Sequence, residues 1–256
     1  KDGKGLTIQD FITSGSLNNE RRFTPEISDE HYYPSHDGVK FYDYALEDIE
    51  TFASLGLKSI RLSISWARIF PNGNEEAPNQ LGLDHYLKIF KLCKEHKIEP
   101  IVTLSHFDTP WFITKNYNGF YSRETIQMFL NYAETVMNYY KGYVEYWLPF
   151  NEINFGVLQM GAYKSLGMID PEIAKGDKSV DYSELKVPLS KQIVALHHQF
   201  IASALTVRLA HKIDPNNKVG CMIGYITQYP LTSHPKDILK AQEIDRILNK
   251  FARRCL

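Results

Sequence analysis

The length and composition of this chain are those of an ordinary globular protein. It has 256 residues, 43% of them hydrophobic and 23% charged, and a formal net charge of -1. This balance excludes a disordered chain, and nothing in it indicates binding to nucleic acid. With no run of about 18 apolar residues, we expect no membrane span. Three scattered cysteines and the absence of CxxC and HExxH patterns argue against a disulfide framework and a structural metal.

Helical and strand periodicities alternate along the chain. The helical period predicts helices at 41–55, 84–97, 125–141, about 188–213 and 235–251. Strand-like stretches predict strands near 57–66, 98–106, 144–151 and 218–226. Strands that alternate with helices in this way predict a parallel sheet.

The number of strands leaves two architectures open. A closed (β/α)₈ barrel needs eight strands, and only four are clear in this sequence. The chain therefore forms either a small open sheet or part of a barrel. In both cases the long loops 67–82, 105–122 and 153–187 follow strands, where parallel sheets place their sites.

Polar side chains stand on or at the ends of three predicted strands. Arg61 lies on the polar side of the first, His106 ends the second, and Asn151 and Glu152 end the third. In a barrel these ends meet at one mouth, where such groups suit a polyhydroxylated substrate. Glu152 is the candidate proton donor to a glycosidic oxygen, and this chemistry needs a second carboxylate. Each residue also has a structural explanation, such as a solvated Glu, a core His or an Arg paired with an anion.

Three motifs, in the right order, resemble those of family 1 glycoside hydrolases. They are RLSISWARIFP at 61–71, TLSHFDTP at 103–110 and WLPFNEIN at 147–154. Within that family the chain is most similar to bacterial 6-phospho-β-glucosidases. The resemblance implies a (β/α)₈ TIM barrel of which about half is present, strands 2–5, so that residues 1–256 form one incomplete domain.

The resemblance also implies roles for five residues. Glu152 corresponds to the acid/base of a retaining glycosidase, and Asn151 to the residue that holds the sugar 2-hydroxyl. His106 corresponds to a contact to the 3-hydroxyl, Phe107 to its aromatic neighbour, and Arg61 to the partner of the nucleophilic carboxylate. Neither a metal nor another cofactor is expected.

Two features of the family pattern are missing from this sequence. The chain opens after the segment expected to form the first barrel strand, and residues 153–256 contain no TENG-like nucleophile motif. The end, NKFARRCL, also departs from the pattern. The expected function is hydrolysis of a phosphorylated β-glucoside in the cytoplasm, with the isolated chain inactive. The alternatives are a plain β-glucosidase, or an inactive truncated fragment that associates with a second copy through open sheet edges.

Overall fold

The structure is a computed structural model that describes residues 3–158 and 160–250. Its strands are β1 (Arg22–Phe23), β2 (Ser59–Ser63), β3 (Glu99–Ser105), β4 (Tyr146–Phe150), β5 (Val180–Asp181) and β6 (Lys218–Val219). Four of them form one parallel sheet in the order β2-β3-β4-β6. The prediction of a parallel sheet from the strand and helix alternation is thus confirmed.

Ten α-helices accompany the strands in the described part of the chain. They are α1 (Pro34–Asp37), α2 (Phe41–Ser54), α3 (Trp66–Ile69), α4 (Gln80–Glu95), α5 (Trp111–Tyr117), α6 (Glu124–Tyr139), α7 (Gly161–Lys164), α8 (Pro171–Lys175), α9 (Leu189–Ile213) and α10 (Pro235–Asp245), which continues as a π-helix (Arg246–Lys250). Short 3₁₀ helices lie at Ile8–Phe11, Gly119–Tyr121, Ile153–Val157 and Tyr182–Glu184. The last predicted helix reached residue 251, which is outside the described residues.

The main core lies between one face of the sheet and the helices. Leu62, Val102 and Leu104 point into it from β2 and β3, as the alternation of their strands requires. Tyr132 of α6 donates its hydroxyl to the carbonyl oxygens of Ile64 and Leu104, at 2.8 and 3.0 Å. This side chain therefore links the helical layer to the carboxyl ends of two neighbouring strands.

Helix α9 also belongs to this core. By length and composition alone it is long and apolar enough to cross a membrane. In the fold it packs against α6 and the 3₁₀ helices around Gly119 and Ile153, and it buries residues such as Ala195, Leu196 and Ala202. A helix of this kind is the apolar outer layer of a parallel sheet.

The predicted strand at 218–226 is wrong beyond its first two residues. Pairing with β4 covers Lys218 and Val219, and the last ladder-like bond runs from the Gly220 N–H to the Trp147 carbonyl at 2.9 Å. Beyond that point β4 gives way to a 3₁₀ helix. The backbone of Gly224 is held by the Asn154 side chain, which accepts from its N–H at 3.0 Å and donates to its carbonyl at 2.8 Å.

A small second unit of structure forms from two long segments for which the sequence predicts neither helix nor strand. One precedes residue 41, and the other lies within 153–187. β1 and β5 pair antiparallel, although they are far apart in the chain. Around them lies a separate apolar cluster, whose largest members are Phe11, Phe23 and Tyr163. Strands of two residues carry no detectable periodicity, which is why the sequence did not reveal them.

Candidate active site

Arg61 lies on the exposed side of β2, an edge strand of the sheet. It is in the middle of β2, next to Leu62, which points the other way into the core. Its Nε donates to Thr103 Oγ1 of β3 at 3.1 Å, and its Nη2 donates to Asn151 Oδ1 after β4 at 2.7 Å. Both acceptors are neutral. Within residues 3–158 and 160–250, Arg61 forms no ion pair with a carboxylate.

His106 and Phe107 follow the end of β3. The His106 side chain is exposed, and the Phe107 backbone has a φ of 66°, in the left-handed region. The His106 N–H donates to Asp108 Oδ1 at 3.1 Å, and the Phe107 carbonyl accepts from Gln9 Nε2 at 2.8 Å. The turn therefore presents its two side chains from a backbone fixed on both sides.

Asn151 and Glu152 follow the end of the neighbouring strand, β4. The Asn151 N–H donates to the Ser105 carbonyl at 2.9 Å, which extends the pairing of the two strands, and its side chain is buried. Glu152 is half-buried and has a φ of 42°, again in the left-handed region. A bulky residue adopts that conformation only where its surroundings enforce it.

Gly224 leaves the space that the Glu152 side chain occupies. A Cβ atom at this position would lie 3.1 Å from the Glu152 carboxyl carbon and 2.6 Å from the Phe155 ring. Any side chain larger than hydrogen would therefore displace the carboxyl group or the ring. No local pattern indicates this role, because the glycine lies in a stretch that resembles a strand.

Arg61 and Glu152 both lie close enough to His106 to affect its pKa. Although the residue is exposed at the surface, the protein atoms around its ring partly desolvate the imidazole and lower the pKa of His106, and the positive charge of Arg61 lowers it further. Asp108 and Glu152 act in the opposite direction. The neutral form of the imidazole is therefore favoured, with one nitrogen able to donate and one able to accept. That state suits contact with a sugar hydroxyl.

The five residues singled out in the sequence thus lie on or directly after three adjacent parallel strands. Asn151 binds Arg61 directly, and Arg61 and Glu152 both act on His106 through space. Two residues that hold the turn after β3, Asp108 and Gln9, were not identified from the sequence. In the part of the chain that the structure describes, no group of three or more His, Cys, Asp or Glu side chains is placed to hold a metal ion.

Comparison with known proteins identifies the family. The sequence profile of glycosyl hydrolase family 1 matches residues 1–253. The chain belongs to this family. It is 42% identical over 253 residues to a 6-phospho-β-glucosidase of Clostridium longisporum. It is 40% identical over 244 residues to the aryl-phospho-β-D-glucosidase BglH of Bacillus subtilis, and 39% identical over 249 residues to the 6-phospho-β-glucosidase AscB of Escherichia coli.

The chain spans about half the length of these relatives. The three matches cover 95–96% of this chain but only 48–49% of each relative. Solved structures give the same proportion. The family 1 β-glucosidase of Thermotoga maritima is 24% identical, with a TM-score of 0.76, over 96% of this chain and 49% of its own. The fold is therefore part of a (β/α)₈ barrel, as the resemblance implied.

The convergence of these side chains can be tested through the titration of His106. We predict that Glu152→Gln lowers the pKa of His106, because it removes a negative charge, and that Arg61→Met raises it, because it removes a positive one. The folded wild-type protein resists protonation of this histidine. The contribution of His106 to the stability of the fold is therefore present above the ordinary histidine pKa. It is lost as the pH falls through the lowered pKa of the folded protein.

The measurement is a pH titration of the imidazole signals by NMR. His96, which follows α4 beside Glu50, lies at the opposite end of the sheet and serves as the control. Its imidazole signals should be unaffected by either substitution. A His106 titration that neither substitution moves would contradict a shared mouth.

Proposed function

We propose that this chain provides the acid/base half of the active site of a retaining 6-phospho-β-glucosidase. The observation that carries the proposal is the grouping of His106 and Glu152 after the carboxyl ends of two adjacent parallel strands, with Arg61 on the strand beside them. Strand ends at this face are where barrel enzymes keep their catalytic groups. The phosphorylated substrate is supported by the names of the relatives, which are phospho-β-glucosidases.

Glu152 is proposed to move the proton in both halves of the reaction. Its carboxylic acid protonates the glycosidic oxygen while a second carboxylate, about 5 Å away, attacks the anomeric carbon. The aglycone leaves as an alcohol and the sugar remains as an ester. Glu152, now a carboxylate, removes a proton from the water that hydrolyses the ester, and it is thereby returned to its acid form.

Asn151 is proposed to hold a sugar hydroxyl through its amide NH₂ group. Arg61 has only donors, so the Asn151 atom that faces it at 2.7 Å is the oxygen. The Nδ2 group forms no hydrogen bond with another described residue. It is therefore available as a donor, next in the chain to the proposed acid. His106 and Phe107 are proposed to contact the sugar from the neighbouring strand end.

The nucleophile is proposed to lie outside this sequence. Arg61 is an exposed cation with two neutral acceptors and no carboxylate partner among the described residues. A guanidinium in this position suits a carboxylate brought by other strands of the barrel. With one carboxylate and no nucleophile, the isolated chain is expected to form no covalent intermediate. We further propose a cytoplasmic location, because sugars become phosphorylated when they are taken up.

Substrate class is tested with two chromogenic glycosides. We predict that the protein expressed from the full reading frame containing these residues hydrolyses p-nitrophenyl β-glucoside 6-phosphate at least about a hundredfold faster, in kcat/KM, than the unphosphorylated glucoside. A site built around a bound phosphate rejects a sugar that lacks it. The 256-residue chain alone should release no nitrophenol.

Three other outcomes of these assays would each contradict one part of the proposal. A preference for the unphosphorylated glucoside would make the protein a plain β-glucosidase. Hydrolysis by a preparation whose intact mass matches 256 residues would show that the nucleophile is within this chain. No hydrolysis of either substrate by the full reading frame would leave an inactive fragment as the correct description.

The role of Glu152 is tested by changing the leaving group. We predict that Glu152→Gln in the full reading frame lowers kcat/KM for cellobiose 6-phosphate by about 10²–10⁴-fold, because a sugar alkoxide needs a proton to leave. The loss should be much smaller for the p-nitrophenyl substrate, whose leaving group is stable as an anion.

Glu145→Gln is the matched control, because Glu145 is an exposed carboxylate just before the other end of the same strand. It should leave both rates unchanged. Equal losses on both substrates in Glu152→Gln would show that Glu152 is not the proton donor.

A further inference from the structure

The turn that carries His106 and Phe107 has a backbone conformation that needs support. The φ of 66° at Phe107 places a bulky aromatic residue in the left-handed region, where contact between Cβ and the carbonyl costs about 1–2 kcal/mol. Such a conformation persists only where the surroundings over-determine it. Two backbone groups of this turn, the His106 N–H and the Phe107 carbonyl, are fixed by side chains that the proposed reaction does not use.

The first support is Asp108. Its Oδ1 accepts from the N–H of His106 at 3.1 Å, two residues back in the chain. The ring formed in this way closes around Phe107. Burial raises the pKa of the Asp108 carboxyl group, so the protein holds this group in a place that does not favour its charge. The hydrogen bond between His106 and Asp108 therefore restrains the backbone dihedral angles of Phe107.

The second support is Gln9. Its Nε2 donates to the Phe107 carbonyl at 2.8 Å, across a sequence separation of 98 residues. This amide is on a segment that is itself fixed against the same turn. The Ile8 N–H donates to the Thr109 carbonyl, and the Trp111 N–H donates to the Leu6 carbonyl, both at 2.9 Å.

The segment that carries Gln9 is further locked by its own cap. The Thr7 N–H and hydroxyl both donate to Asp10 Oδ2, at 2.7 and 2.9 Å. The Asp10 side chain is almost completely buried, and the Lys4 ammonium lies 3.5 Å from it. Gln9 therefore approaches the turn from a rigid base rather than from a free loop, as precise placement of a site requires.

We propose that Asp108 and Gln9 are positioning residues, which set the placement of His106 and Phe107 against the sugar by holding the Phe107 backbone in its left-handed conformation. This inference rests on the proposed function, since it assumes that His106 and Phe107 contact the substrate. Neither Asp108 nor Gln9 needs to touch the sugar. Displacement of a binding group by about 1 Å is enough to reduce catalysis up to a hundredfold.

The test uses the variants Asp108→Ala, Asp108→Asn and Gln9→Ala. In the 256-residue chain we expect amide exchange at His106 to become at least about tenfold faster in Asp108→Ala, together with a change in the backbone chemical shifts of Phe107. Asp108→Asn should stay close to the wild type, because the amide oxygen can still accept from the His106 N–H. Gln9→Ala should move the Phe107 shifts and leave most other signals in place.

The controls remove similar groups from the helical surface. Asp84→Ala takes away a carboxylate that accepts from Tyr139, and Gln127→Ala takes away an amide that donates to Asn131. Neither should change the signals of His106 or Phe107. Gln9→Ala removes a single contact of a half-buried side chain, so it keeps the test informative if Asp108→Ala does not fold.

The same variants are then assayed for hydrolysis in the protein from the full reading frame. We expect kcat/KM per folded molecule to fall about 10–100-fold in Asp108→Ala and less in Gln9→Ala, with Asp108→Asn restoring most of the loss. Unchanged Phe107 signals in both alanine variants would overturn the positioning role and leave the proposed function intact. An altered turn with unchanged hydrolysis would overturn both the positioning role and the assignment of His106 and Phe107 to the sugar.

Discussion

The rest of the site depends on the hydrogen bonds that the Arg61 guanidinium donates. It joins three strands, since it belongs to β2 and donates to Thr103 of β3 and to Asn151 at the end of β4. Strand pairing alone brings these backbones together, but it does not orient the side chains at their ends. By binding the Asn151 oxygen, Arg61 leaves the amide NH₂ group without another described partner, and it places a positive charge near His106.

The same interaction explains the charge balance of the mouth. Arg61 lowers the pKa of His106, and Glu152 acts against it. Among the described residues, the guanidinium binds only neutral oxygen atoms, so no carboxylate neutralises its charge. An anion brought into the mouth would therefore be attracted to it. In the proposed enzyme that anion is the nucleophilic carboxylate. The open face of the sheet is the one that the remaining strands of a complete barrel would cover.

Much of this arrangement was predictable, because periodicity is a local property. The alternation around Arg61 predicted the strand and placed Arg61 on its polar side, and the helical period predicted α6. The motifs gave the family and the five candidate residues, although their roles stay predictions. What the sequence did not reveal depends on contacts between distant segments. The bond from Gln9 to Phe107 spans 98 residues, and the space beside Glu152 depends on Gly224, in a stretch that resembles a strand but leaves the sheet after Val219.

The central claim is that Glu152 moves protons and that the carboxylate which attacks the sugar is outside these residues. A mechanism-based label measures this directly. The protein from the full reading frame is treated with a 2-deoxy-2-fluoro-β-glucoside 6-phosphate that has a dinitrophenyl leaving group, and the labelled peptide is identified by mass spectrometry. We expect one label, on a carboxylate that is not among these 256 residues. A label on Glu152, or on any other carboxylate of this sequence, would contradict it.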